Sequence, residues 1–127
     1  MTVEIAQTKE VLKTFQEVAS AVASFIVSLD SDEAVSVQPI KKAIVKLAEQ
    51  YGADFGIVEK EMRENNDIAA KSEELLDDPL VYVRIAGTLN SHVGNLAAVI
   101  YDVEQSAMGI EVMGNLLGTV LILEEAY

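Results

Sequence analysis

The spacing of apolar side chains in the first quarter of the sequence constrains the fold more than any other feature. These side chains recur at steps of four and three residues: Val11, Phe15, Val18, Val22, Phe25 and Leu29, flanked by Leu12, Ala19 and Ile26 at steps of seven. At 3.6 residues per turn, such steps place all of them on one side of an α-helix. The resulting stripe is wider than the seam of a two-stranded coiled coil. It therefore predicts a helix from about Val3 to Leu29 that packs in a bundle.

A second stretch repeats this spacing. Pro39 is suited to the first position of a helix, after Ser36 or Gln38 as cap. The apolar positions that follow are Ile40, Ile44, Leu47, Tyr51, Phe55, Val58 and Met62. Because glycine weakens a helix, Gly52 and Gly56 predict a kink or a break within this stretch.

The segment "ENNDIAAKSEELLDDP" predicts a turn followed by a short helix. Asn66 or Asp67 can cap the start of that helix, since short polar side chains bind free backbone N–H groups. Pro79 cannot continue a helix, so we expect the helix to end at Asp77 or Asp78.

Beyond that proline, Asp78 can cap a helix that begins with Pro79 itself. The helical steps continue through Ile85, Leu89, His92, Leu96, Val99 and Val103, and then through Ala107, Ile110, Gly114, Leu117 and Leu121. One very long helix satisfies this pattern, but a break at residues 106–109 would give two helices folded against each other, and we favour the break. The β-branched stretches "LVYVRIAG" and "GTVLILEEAY" leave an α+β alternative open.

Taken together, these patterns predict an all-α protein. We expect a single helical domain over residues 1–127: a bundle of four or five helices with a long first helix and a long apolar C-terminal helix or helical hairpin. This length suffices to bury a core without disulfides, and the sequence contains no cysteine.

Charge is scarce in the second half of the chain. The net charge is −12, yet the last 49 residues hold only Arg84, Asp102, Glu104, Glu111, Glu124 and Glu125. Helices with so few charged side chains have little to present to water, so we expect them to be covered by copies of the chain or by a partner. Small residues spaced for close helix contact most simply mark tight crossings between helices of one chain, and otherwise a subunit interface. With their apolar neighbours, the interface candidates are Ala86, Asn90, His92, Gly94, Ala98, Gly114, Leu117, Gly118 and Leu121.

No catalytic or cofactor motif is present. His92 is the only histidine, which argues against a carboxylate-bridged di-iron centre or a zinc site, and no phosphate-binding loop, calcium loop or hydrolase motif occurs. We therefore predict a non-enzymatic protein without metal or cofactor. His92 is expected either to form a hydrogen bond to a neighbour within a helix contact or to be exposed at a subunit contact. The adjacent acidic pairs Glu73–Glu74, Asp77–Asp78 and Glu124–Glu125 are expected to be solvated or to cap helices.

These observations favour an acidic, self-associating structural or assembly subunit that acts through protein–protein contacts. One alternative is an immunity-type inhibitor whose acidic surface blocks a basic partner. A second is a small-molecule binder with a cavity between helices near His92, Tyr82 and Tyr101.

Nucleic acid is disfavoured as a partner because the only basic cluster is Lys41, Lys42 and Lys46, set among glutamates. The N-terminus has no signal-peptide pattern, and neither apolar stretch after Pro79 is typical of a membrane span. We thus expect a cytoplasmic protein or a component of a larger assembly.

Overall fold

The periodic segments form six α-helices in the part of the chain that the computed structural model describes, residues 9–31, 35–102 and 108–127. The helices are α1 (Lys9–Leu29), α2 (Gln38–Gln50), α3 (Phe55–Asn65), α4 (Ile68–Asp77), α5 (Val81–Tyr101) and α6 (Gly109–Ala126). Those ranges contain no strand, so the all-α prediction is confirmed and the α+β alternative is wrong. Both β-branched stretches lie on helices, because their apolar positions also fit the helical period.

The four longest helices form a closed ring of contacts. α1 packs against α2 and α5, and both of these pack in turn against α6. The two short helices, α3 and α4, also pack against α6. α6 is therefore the most enclosed helix, with α2, α3, α4 and α5 around it.

The apolar stripe of α1 forms one side of the core, as predicted. Val11, Phe15, Val18, Val22 and Phe25 are buried, and Leu29 is half-buried at the end of the helix. The one buried polar side chain of this helix has its hydrogen-bonding groups satisfied: Thr14 Oγ1 donates to the Glu10 carbonyl oxygen at 2.9 Å and accepts from Gln50 Nε2 at 3.0 Å. The predicted start at Val3 lies outside the described residues.

The glycine-containing stretch after α2 breaks the helix completely. Gly52 adopts a positive φ of 81°, a conformation that glycine adopts without steric cost. Its N–H donates to the Glu49 carbonyl oxygen and the Ala53 N–H donates to that of Ala48, which completes a Schellman turn. Asp54 then caps α3 by accepting from the Gly56 N–H at 2.9 Å. This break is one reason why six helices are found where four or five were expected.

Side chains at the predicted positions delimit the short helix α4. Asp67 Oδ1 accepts from the Ala70 N–H at 3.0 Å, and the helix ends at Asp77, two residues before Pro79. The start of α5 differs from the prediction. Asp78 does accept a backbone hydrogen bond, from Leu80 at 2.8 Å, but Pro79 lies in a turn and α5 begins at Val81.

The apolar C-terminal stretch consists of two helices, as favoured from the sequence. α5 ends at Tyr101 and α6 begins at Gly109, while residues 103–107, which include the first half of the predicted break, lie outside the described residues. The inward side chains of α6 are almost completely buried: Met113, Leu116, Leu117, Val120, Leu121 and Leu123.

Candidate functional site

α5 has two different faces. Its inner face carries the predicted seam, and Ile85, Leu89, Leu96, Val99 and Ile100 are buried. This helix packs against both α1 and α6. Near its C-terminal end, the Tyr101 ring meets Phe15 of α1 edge to face, with ring centroids 5.9 Å apart. The inner face thus accounts for the 4–3 pattern of this segment.

The opposite face of α5 is exposed and, after Arg84 in its first turn, carries no charge. A second series of positions, Val83, Gly87, Asn90, Gly94 and Ala98, also follows helical spacing and is exposed along its whole length. We call these five residues the outer stripe. Residues 85–101 contain no Asp, Glu, Lys or Arg. A helix face that is exposed to water ordinarily carries such residues.

The glycines of α5 and α6 have different surroundings. A methyl group added at Gly114 or Gly118 would touch the side chain of Met62 at 3.9 and 4.0 Å, so these two glycines lie beneath α3. A methyl group at Gly87 or Gly94 would meet nothing within 4 Å. The α6 glycines therefore face a neighbouring helix, whereas the α5 glycines face open space.

The nine interface candidates do not form one surface. Asn90, Gly94 and Ala98 lie together on the outer stripe, and Ala86 is half-buried beside it. The four candidates in α6 (Gly114, Leu117, Gly118 and Leu121) pack within the chain instead, and both leucines have no exposed surface. In this conformation the two leucines have no surface that a partner could contact, because α2, α3, α4 and α5 enclose α6, and Gly114 and Gly118 are half-buried beneath α3. The candidate surface is therefore narrower than expected from the sequence.

His92 connects α5 to α6. Its Nε2 lies 2.9 Å from Thr119 Oγ1, and that hydroxyl lies 3.4 Å from the Asn115 carbonyl oxygen. Burial lowers the pKa of His92, which favours the neutral imidazole. A hydroxyl beside an imidazole resembles part of a nucleophilic dyad, but within the described residues no carboxylate contacts Nδ1 to orient the ring. The arrangement matches the expected hydrogen bond within a helix contact.

The predicted grouping of His92 with two tyrosines is not found. His92 borders a small cleft of about 270 Å³ with Asn95, Ala98, Val99, Met108, Glu111, Val112 and Asn115. Tyr82 and Tyr101 do not line this cleft. Tyr82 is 39% exposed near the start of α5, and Tyr101 lies against α1.

A larger cleft, of about 420 Å³, lies where α4, α5 and α6 meet. Its lining residues are Lys71, Glu74, Leu75, Asp78, Arg84, Ile85, Thr88, Thr119, Ile122 and Leu123. The sequence did not indicate this cleft. Each of the three helices contributes only a few of the lining residues, and no local pattern shows that α4 lies beside α6.

A second feature that the sequence did not indicate is a network of four charged side chains that connects α6 to α2 and α3. The Glu59 carboxylate accepts from Lys41 Nζ at 2.9 Å and from Arg63 Nε at 3.0 Å. The Glu124 carboxylate accepts from the same two cations and from Gln38 Nε2 at 2.7 Å. The Glu59–Arg63 pair has the ordinary spacing of four residues along one helix. The participation of Glu124 was not predicted, since it lies 83 residues from Lys41.

The hydrogen bonds of this network change the pKa values of its members. Burial alone would raise the pKa of Glu59 and Glu124, but hydrogen bonds outweigh it and hold both pKa values below the ordinary one; the donors are Lys41 and Arg63 for Glu59, and Gln38, Lys41 and Arg63 for Glu124. Burial would lower the pKa of Lys41, but its contacts with the two glutamates raise it overall. The network therefore favours the charged form of each member.

The structure pairs most members of the basic cluster with acids. Lys41 belongs to the network above, and Lys46 Nζ lies 3.4 Å from Glu17 Oε2 of α1. Lys42 is exposed. Among the described residues, no group of three or more His, Asp or Glu side chains lies close enough to hold a metal ion.

In the described residues, α1 alone is long and apolar enough to cross a membrane by length and composition, with a mean hydropathy of 1.2. A core helix of a bundle meets the same criterion, and the apolar stripe of α1 is buried in this fold.

No protein-family model, curated protein or solved structure matches this chain.

Proposed function

We propose that this protein is a non-enzymatic structural or assembly subunit that associates with copies of itself through the outer stripe of α5. The observation that carries the proposal is the position of Gly87 and Gly94 in the middle of a helix, with nothing packed against them. A glycine inside a helix costs about 1 kcal/mol relative to alanine. Within the described chain no close contact offsets that cost at either position. A second helix lying on the stripe would offset it, because small residues let two helix backbones approach closely.

The surroundings of the stripe also favour a protein partner. Leu80 and Val83 are each 63% exposed near the start of α5. Further exposed apolar side chains in this half of the chain are Leu76, Tyr82, Tyr101, Met108 and Ile110. Large apolar side chains exposed in such number are a feature of interaction surfaces in many proteins.

The charge distribution favours a second copy as the partner. Two molecules that each carry a net charge of −12 repel each other, and the repulsion is smallest where neither presents a charge. The outer stripe is such a surface. A basic partner, as in the inhibitor alternative, would instead bind exposed acids such as Glu73, Glu74 and Asp77 of α4.

The experiment compares the molar mass of the wild-type protein with that of Gly94→Lys, by light scattering at tens of micromolar. We expect the wild type to be an oligomer and the variant a monomer, because a lysine on the stripe would be buried without a partner. Ala23→Lys, at an exposed small residue of α1, is the matched control and should keep the wild-type mass. Circular dichroism checks that all three proteins fold.

A monomeric wild type, or an unchanged mass in Gly94→Lys, would refute self-association through this face. Added salt separates the proposal from the inhibitor alternative. Self-association across an uncharged face should persist or strengthen at 0.5 M NaCl, since salt screens the repulsion between copies. Binding to a basic partner should weaken under the same conditions.

A further inference from the structure

The cleft between α4, α5 and α6 has the composition of a small-molecule site. Its floor consists of Leu75, Ile85, Ile122 and Leu123, which come from all three helices. Its volume of about 420 Å³ falls in the range of small-molecule sites, which are largely apolar with a few polar groups that fix orientation. The cleft shares no lining residue with the outer stripe.

Two hydroxyl groups in this cleft can orient a ligand. The side-chain hydroxyl of Thr88 makes no hydrogen bond to the described residues, so it remains available to a ligand. Thr119 also lines the cleft, and its hydroxyl is held by the His92 imidazole at 2.9 Å. A ligand that contacts Thr119 would therefore alter the environment of the only histidine in the chain.

The charged side chains at the cleft balance one another. Lys71 and Arg84 are matched by Glu74 and Asp78. Arg84 pairs with Asp78, and Lys71 Nζ donates to Asn66 Oδ1 at 3.1 Å. Arg84 is already paired, the two positive and two negative charges at the cleft cancel, and a charged group placed on the apolar floor would lose its hydration. These features favour an uncharged occupant.

We propose that this cleft binds a small uncharged molecule with an apolar ring or branched body and one hydrogen-bonding group directed at Thr88. The apolar body would cover Ile85 and Ile122 on the floor. This inference does not depend on self-association, so the cleft should bind its ligand equally well in the Gly94→Lys variant.

N-phenyl-1-naphthylamine is a suitable probe, because it is neutral and apolar, carries one N–H group and fluoresces when it leaves water. We expect it to bind the wild-type protein at one site. Thr88→Phe, which would fill the cleft, should weaken binding at least tenfold. Thr88→Val, which removes only the hydroxyl, should weaken it about threefold to tenfold. Ala23→Phe, on the exposed face of α1, should leave affinity unchanged.

Nuclear magnetic resonance locates the probe independently of these variants. Binding should shift the methyl signals of Ile85 and Ile122 and the imidazole signals of His92, while the methyl signals of Val27, exposed on α1, should not move. Three outcomes would overturn the proposal: no binding to the wild type, undiminished binding to a folded Thr88→Phe variant, or shifts confined to residues outside the cleft.

Discussion

α5 and α6 are alike in sequence and different in their surroundings. Both are long, rich in aliphatic residues and interrupted by glycine, with few charges to face water. α6 lies among four other helices, and Gly114 and Gly118 lie beneath Met62. α5 is covered on one side only, and its glycines are open. A low density of charged residues therefore indicates that a helix packs against others on most sides. It does not show whether those other helices belong to the same chain.

The largest effect on stability is expected when a buried side chain is removed from the enclosed helix, α6. Leu117→Ala should lower the free energy of unfolding by about 3 kcal/mol, because it removes completely buried methyl groups and leaves a cavity. Urea denaturation followed by circular dichroism measures the change. Val83→Ala, on the exposed face of α5, is the control and should change stability by less than about 0.5 kcal/mol in the monomeric Gly94→Lys background. A similar loss of stability in Leu117→Ala and Val83→Ala would mean that the two side chains are equally buried.

Exchanging glycine for leucine should have opposite results in the two helices. Gly118→Leu should destabilise the fold by about 1–3 kcal/mol, because the new side chain would overlap Met62. Gly94→Leu meets no neighbour within the chain and replaces a poor helix former, so the isolated subunit should become more stable by about 1 kcal/mol. Thermal unfolding at low protein concentration measures both changes. Destabilisation by Gly94→Leu in a monomer would contradict an open α5 face.

Removing the charge of Glu124, which connects α6 to α2 and α3, should lower the stability by a smaller amount. Glu124→Gln retains the shape of the side chain but weakens the contacts with Lys41 and Arg63, and we expect a loss of about 1 kcal/mol at pH 7, since the network is partly exposed. The pKa of Glu124 is lowered in the folded state, so its stabilising effect is complete above the ordinary carboxyl pKa and disappears as pH falls through the lowered value. Denaturation curves from pH 7 to pH 3 should thus converge for the two proteins, and a constant difference would exclude the charge as its cause.

The smallest effect concerns the contact between the two helices at His92. Because burial lowers the pKa of His92, the unfolded chain takes up a proton at a higher pH than the folded one. The resulting stabilisation is complete above the ordinary histidine pKa, about 6.5, and diminishes as pH falls through the folded-state value. Titration of the imidazole by nuclear magnetic resonance should give a midpoint below that of an unfolded peptide. A midpoint at or above the peptide value would show that the ring is not shielded as described.

Local patterns in the sequence were enough to predict most of the helices. Apolar spacing identified the stripe of α1 and the seam of α5, and Gly52, Asp67 and Pro79 marked where helices break, begin or end. These signals depend on residues within one or two turns of each other. These signals locate helix ends only to within about two residues, since α5 begins at Val81 and not at Pro79.

Contacts between distant segments could not be predicted in this way. Spacing alone does not distinguish Leu117, inside the fold, from Asn90, on its surface, because both occupy repeating positions on apolar helices. Spacing also does not reveal the ion pairs of Glu124, because its partners lie more than sixty residues away in the sequence. The candidate surface is therefore confined to α5, because other helices of the chain enclose α6.

The central position of α6 also affects how the protein is made. A ribosome synthesises α2, α3, α4 and α5 before the helix that fills the space between them. Until Gly109 and the residues after it emerge, the side chains that will line this space have no α6 to cover them. A nascent chain arrested before that point would present an apolar groove of the kind that chaperones bind.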